Sequence, residues 1–331
     1  MKSILLAALF LLFFSDESIA QYAPQAGIVG STAIAGNSPL FVGWATSCNV
    51  KRGYLDIAQP ALGKASAGDS SLAIGAADNY VVSLGDSGVA TLYFSNPITN
   101  GPGADFVVFE NGFLNPNNTE EAFLELAFVE VSSDGIHFFR FPSNSLTQDT
   151  SQISSVVGQN YMNARLMNNL AGKYIANYGT PFDLQELAGI TGLDISRITH
   201  VRVVDVIGSI GSLGTFDQTG RKINDPYPTP FPTGGFDLDA VGVLHHLWPT
   251  SLSSFSHTLA SIYPNPTENH ITLKCLPKAT FRLFDVTGNT IRSGTMDGSV
   301  DLDVSFLSSG IYFITFTDQS GNRCTEHFIK H

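Results

Sequence analysis

The sequence predicts an all-β protein: a jelly-roll-like antiparallel β-sandwich with a small helical insertion, followed by a smaller C-terminal β-sandwich. Three observations carry this. The runs Asp105-Phe106-Val107-Val108-Phe109-Glu110-Asn111-Gly112-Phe113 and Phe123-Leu124-Glu125-Leu126-Ala127-Phe128-Val129-Glu130-Val131-Ser132-Ser133-Asp134-Gly135 are rich in residues that fit a packed, pleated surface, and they carry Asn-Gly and Asp-Gly turn signals. Both faces of the second run are mostly apolar, as in a strand covered on both sides. The third is composition: 31 glycines, 24 phenylalanines and 16 prolines with only 14% charged residues favour short strands and turns over long surface helices.

At the N-terminus, Lys2, the apolar run over 4–14 and Ser18-Ile19-Ala20 form the pattern of a secretory signal cleaved after Ala20. The run is too short to cross a bilayer, and no transmembrane segment is expected in the mature chain. The remaining chain of about 310 residues suits two domains, a cargo domain over 21–250 and a module over 261–331, joined by a linker over 251–260. A net charge of -12 without a basic patch argues against nucleic acid and anionic lipid, whose phosphates need Lys and Arg. Of three cysteines, Cys275 and Cys324 fall in the last module, where pairing and free thiols are both open, and Cys48 reads as a small hydrophobe.

In chain order, Trp44 reads as a core anchor. Val81 to Gly85 and Val89 to Phe94 read as a hairpin about Asp86-Ser87-Gly88. Gly85-Asp86-Ser87-Gly88 resembles a serine-protease nucleophile motif, but no histidine precedes His137, so Ser87 is a turn residue. The Asp134-Gly135-Ile136-His137 spacing is also read as a turn. Tyr161, Met162, Leu166, Met167, Leu170 and Tyr174 recur at three- and four-residue spacings, which predicts an amphipathic helix over 160–175.

The strand over 200–208 places Asp205 among Val201, Val203 and Ile207, with an arginine (Arg202 or Arg140), backbone N–H groups or a cation as its options. Glu125 and Glu130 need a partner, a rim position or a metal for the same reason. The loop over 209–233, with Tyr227 and Phe231 among its prolines, is expected to form a binding rim. In Gly235-Phe236-Asp237-Leu238-Asp239-Ala240-Val241-Gly242-Val243-Leu244, alternation puts Asp237, Asp239, Val241 and Val243 on one face. Two aspartates so spaced suit an oxygen-liganded cation such as Ca2+.

The last module, through Tyr263-Pro264-Asn265-Pro266, Leu283-Phe284-Asp285-Val286-Thr287-Gly288, Leu307-Ser308-Ser309-Gly310-Ile311-Tyr312 and the tail near Lys330, resembles the C-terminal sorting domain of the type IX secretion system of Bacteroidetes. The resemblance implies export by that machinery to the exterior or the outer cell surface. Residues 41–246 resemble a family of bacterial secreted or cell-surface proteins, which implies a jelly-roll binding module and names no ligand.

The function expected is therefore a secreted, calcium-stabilised binding module for a glycan or small ligand, with Glu110, Asn111, Tyr227 and Phe231 at the ligand and Glu110, Glu130, Asp205, Asp237 and Asp239 at the metal. A carbohydrate-active hydrolase using Glu110 with Glu130 and a structural or adhesive envelope protein are the alternatives.

Overall fold

The computed structural model describes residues 22–156, 158–247, 260–319 and 323–331, apart from the side chains of 275–277. The expected signal segment and residues 251–259 of the linker lie outside these, as does the side chain of Cys275. The chain divides into two compact units, Met1–Trp248 and Pro249–His331.

In the first unit two antiparallel sheets face each other. One runs in the order Ile34–Ala35, Tyr178–Phe182, Phe106–Glu110, Asp237–Val243, Gly43–Trp44, with Val82–Ser83 also on Asp237–Val243. The other runs Phe139–Arg140, Ala127–Ser132, Ile198–Asp205, Val89–Ile98, Ser47–Lys51. The period of two sends Phe106, Val108, Leu238 and Val241 from the first sheet into one core with Leu92, Val129, Val131, Val201 and Val203 from the second. Phe106 stacks on Phe182 at 5.4 Å within that core. The outer side of the first sheet is also covered: Val107, Phe109 and Ala240 lie under Phe41 and Trp44. Trp44 meets Phe41 at 4.4 Å and Phe109 at 5.8 Å, the packing expected of an anchor. Cys48 packs on the inter-sheet core, where burial pushes its thiol up to about 12 and keeps it protonated.

Four expectations are corrected. Residues 160–175 form no α-helix: Tyr161–Asn163 and Met167–Asn168 are strands around the 3-10 turn Ala164–Leu166. Asparagine decides this locally. The Asn163 side chain accepts from the Arg165 N–H, Asn169 lies in the left-handed region, and Met162, Met167 and Leu170 still reach a core. The helical insertion is thus a set of short strands and 3-10 turns.

The hairpin over 81–94 is also absent. Val82–Ser83 joins the first sheet and Val89–Ile98 the second, so 85–88 is a crossing between layers with Gly85 and Ser87 at positive φ. The run over 123–135 is two strands, because Asn118–Phe123 ends before the chain turns at 124–126 into Ala127–Ser132. Finally, the Asp237–Val243 strand has a register shift between Leu238 and Ala240. Leu238 and Val241 consequently face the same core, and the alternation expected from the sequence fails at Asp239.

The second unit is the small β-sandwich expected, built from Ser261–Tyr263, His270–Phe284, Thr290–Asp303, Gly310–Asp318 and Arg323–Lys330. Ser261–Tyr263 pairs with the first half of His270–Phe284 and Gly310–Asp318 with the second, while Thr290–Asp303 follows both halves with a shift between Cys275 and Ala279. Ile271 and Leu273 on one half and Phe281 and Leu283 on the other bury into a single core with Ile314, Phe316 and Phe328.

Candidate functional site

Three strand ends meet at one rim of the first unit. Glu110 closes Phe106–Glu110 opposite Leu238, Asp205 closes Ile198–Asp205 opposite Ala127, and Asp237 opens its strand opposite Ser83. Each of these carboxylates continues a strand whose apolar residues fill the sandwich, so each is carried into a dry environment by its own backbone. Glu125, at the turn before Ala127–Ser132, and Asp225, from the long loop, are buried beside them.

The loops are pinned to this layer through N–H groups. Glu110 Oε2 accepts from Gly112 N (2.7 Å), Asp205 from Phe236 N (2.7 Å) and Ser87 N (3.0 Å), and Asp225 from Leu126 N (3.0 Å). Asp237 accepts from Ser83 Oγ and from Asn111 Nδ2 (3.3 Å). Asp86 accepts from Ile57 N (2.7 Å) and Asp239 from Asp78 N (3.1 Å). These bonds do not offset the cost of burying charge. Burial, reinforced by neighbouring carboxylates, holds Glu110, Glu125, Asp205 and Asp225 well above the usual carboxylate range. Glu125 feels Asp237, Glu110, Asp225 and Asp205 at once. Burial also pushes Asp86, Asp237 and Asp239 up to about 6. Arg52 lends Asp237 a compensating charge, but its guanidinium donates to the carbonyls of Ala67, Ser83 and Gly68.

The structure therefore brings together Glu110, Asn111, Asp205 and Asp237 of the residues expected from the sequence. Asp239 adjoins Glu110 electrostatically from beneath the 78–79 loop. Tyr227 is half-buried and donates to Asp56 (2.8 Å), whereas Phe231 is 51% exposed. Glu130 is the correction. It points away from the core on the second sheet, held by Arg140 (2.8 Å) and Arg202 (3.4 Å), because Glu130 alternates with the inward Val129 and Val131. It is neither in the carboxylate layer nor paired with Glu110 in a catalytic cleft. Glu125, which the sequence marks as a carboxylate inside an apolar run that needs a partner, a rim position or a metal, joins the layer, whereas Asp225 and Asp86, on loops, carry no such signal.

Gly172 sets the position of Glu125. It has φ +79°, and a Cβ there would lie 1.8 Å from the Glu125 carbonyl oxygen. Gly172→Ala is expected to destabilise the first unit by roughly 2–5 kcal/mol, through left-handed strain and overpacking, read as a lower denaturant midpoint. An unchanged midpoint would refute this role.

Among the described residues no group of three or more His, Cys, Asp or Glu side chains is gathered as a ready metal site. The donor chemistry does suit a hard cation. Every donor is an oxygen, and Glu110 Oε1 and Asp239 Oδ2 are buried without a hydrogen-bond partner.

Comparison with known proteins speaks to the second unit. Residues 261–331 match the family described as the secretion system C-terminal sorting domain. This segment is a sorting domain of that family. The protein is accordingly a secreted β-sandwich carrying a type IX sorting domain, located outside the cell or on its outer surface. No helix among the described residues is long and apolar enough to cross a membrane. No curated protein matches the sequence. Solved structures similar to this chain include the β-glucuronidase from Ruminococcus gnavus in complex with C6-substituted uronic isofagomine, at 10% identity over 73% of this chain and 36% of that one, with a TM-score of 0.18. The same enzyme with D-glucaro-d-lactam matches at 11% identity over 85% and 45%, again at 0.18. The chain spans less than half the length of these enzymes, and TM-scores this low carry no argument about fold or activity.

Proposed function

We propose that the exported first unit is a non-enzymatic binding module for an extracellular glycan or small ligand, and that calcium at its carboxylate layer stabilises it. The observation that supports the calcium part is Glu110, 1% exposed, with one carboxylate oxygen lacking any donor and further buried carboxylates around it. The seven carboxylates of this layer with raised proton affinity need protons or a cation, and a divalent ion offsets two charges at neutral pH. Glu110 would anchor the ion through its unpartnered oxygen, with Glu125, Asp205, Asp237 and Asp239 lending negative charge around it rather than a gathered set of ligands, and backbone carbonyls and water completing the larger shell calcium accepts. The ion would tie ends of both sheets together and so set the shape of the neighbouring loops.

Elemental analysis of protein dialysed against calcium and then against metal-free buffer tests this directly. At least one calcium per chain is expected, falling to none in Glu110→Gln. A metal-free wild-type protein would remove calcium from the proposal.

A further inference from the structure

The second sheet is built differently on its outer side. The first sheet is capped there by Phe41 and Trp44, but the second presents a grid of side chains in register. One row crosses all five strands: Arg140 opposite Glu130, Glu130 opposite Arg202, Arg202 opposite Thr91, and Thr91 opposite Asn49. In the adjoining rows, His200 lies opposite Tyr93, and Val89 lies opposite Lys51. Asn49, Lys51, Thr91, Glu130, Arg202 and Val204 line a groove of about 490 Å³ on this face.

Its charge is the reverse of the protein's. The chain carries -12, yet these rows hold Lys51, Arg140 and Arg202 against the single carboxylate Glu130. At one margin Asp134 is already paired with His137 (2.7 Å). Both guanidinium groups are held in place by rings: Arg140 lies 4.0 Å from the Phe128 centroid and Arg202 3.3 Å from that of Phe138. Glu130 does not use up their donors. Arg140 gives it Nε and one Nη, and Arg202 only Nη1 at 3.4 Å, so each guanidinium keeps an Nη that Glu130 does not take. The cations sit on one edge strand, the central strand and the opposite edge strand, about 19 Å from end to end at the usual strand spacing. That spread fits an extended polyanion better than a point ion.

We propose that this outer face binds an acidic polysaccharide whose uronate carboxylates pair with Arg202, Arg140 and Lys51 while its hydroxyls bond to Asn49 and Thr91. Planar guanidinium groups with free donors match carboxylates, and a row of hydroxyl and amide side chains without an apolar anchor pocket suits a polyhydroxylated chain rather than a peptide. The inference rests on the binding-module reading above and supplies the ligand class and the place.

Calorimetry on the calcium-loaded full chain tests it, with short oligogalacturonate and oligoalginate as probes. At least one should bind, about tenfold more weakly after methyl esterification of its carboxylates or at high salt, as charge-assisted pairing on an exposed face requires. Arg202→Ala and Lys51→Ala should each weaken binding about tenfold with an unchanged melting temperature, and Arg202→Lys should restore only part, since a point charge replaces a planar fork. Should Arg202→Ala fail to fold, the fully exposed-side variant Lys51→Ala decides. No binding of either probe, equal binding of the methyl esters, or equal binding of poly-glutamate would overturn the proposal. Calcium-dependent melting in the same sample separates the two readings: binding that survives both alanine variants moves the site but leaves the module intact.

Discussion

Removing calcium is expected to lower the melting temperature of the first unit by roughly 5–10 °C. A ligand at about a hundred times its dissociation constant adds about 2.7 kcal/mol to the folded state, and each kcal/mol moves the midpoint of a domain this size by about 2–4 °C. The second unit serves as an internal control, because its only buried polar or charged side chains among the described residues are Thr267 and Lys330. Glu110→Gln should act in two opposite ways. It removes the response to calcium, and it raises the melting temperature of the metal-free protein, since an amide of the same shape no longer repels Asp237 and Asp239. A purely structural carboxylate, bonded to Gly112 N and needed there, would instead lose stability on this substitution whether or not calcium is present. Scanning calorimetry of both proteins with and without chelator distinguishes these outcomes.

The second large effect is an inverted dependence on pH. Metal-free protein is expected to melt several degrees higher at pH 5 than at pH 8, whereas burial of paired carboxylates ordinarily makes proteins weaker in acid. The folded state binds protons at Asp86, Asp237 and Asp239 up to about pH 6, and at Glu110, Glu125, Asp205 and Asp225 beyond the usual carboxylate range, while in the unfolded chain all titrate near 4. Their stabilising contribution is fully present below the unfolded value and is lost as pH rises through 6 and above. The opposing groups are Asp56, Asp69, Asp134, Asp217 and His200. Burial raises Asp56 and Asp217 but hydrogen bonds outweigh it, and hydrogen bonds hold Asp69 and Asp134 low, so these four lose stability only in stronger acid. Burial lowers His200, which therefore disfavours the fold as it protonates. Arg52 keeps its charge throughout and favours ionised Asp237. Calcium competes with these protons, so the slope should flatten or reverse in its presence. A metal-free protein less stable at pH 5 than at pH 8 would show that the layer is already compensated by its N–H donors.

Glu130 and Asp205 show how far sequence pattern reaches. Both are carboxylates inside β-rich runs, and both were expected to need a partner. Asp205 lands inward and meets other carboxylates; Glu130 lands outward between two arginines. The runs themselves look alike, and the difference lies in which parity of each strand faces the opposite sheet. The same holds at Asp239, where one shifted residue moved Val241 onto the core face with Leu238. The helix over 160–175 failed for a local reason: its apolar spacing was real, but asparagines bonded to the backbone made short strands cheaper than a helix, with the same residues still buried.

Sequence alone settled the all-β class, the exported character through the sorting motifs over 261–331, and the presence of carboxylates within β-rich runs. Those properties are encoded within short segments, by period, turn residues and motif. Tertiary structure decided which carboxylates share a rim, that Asp225 and Asp86 join them from loops, and that Arg140, Glu130 and Arg202 line up across three strands. The reason is register: with a side-chain period of two, a one-residue shift exchanges core for solvent, and only pairing with distant strands sets that shift.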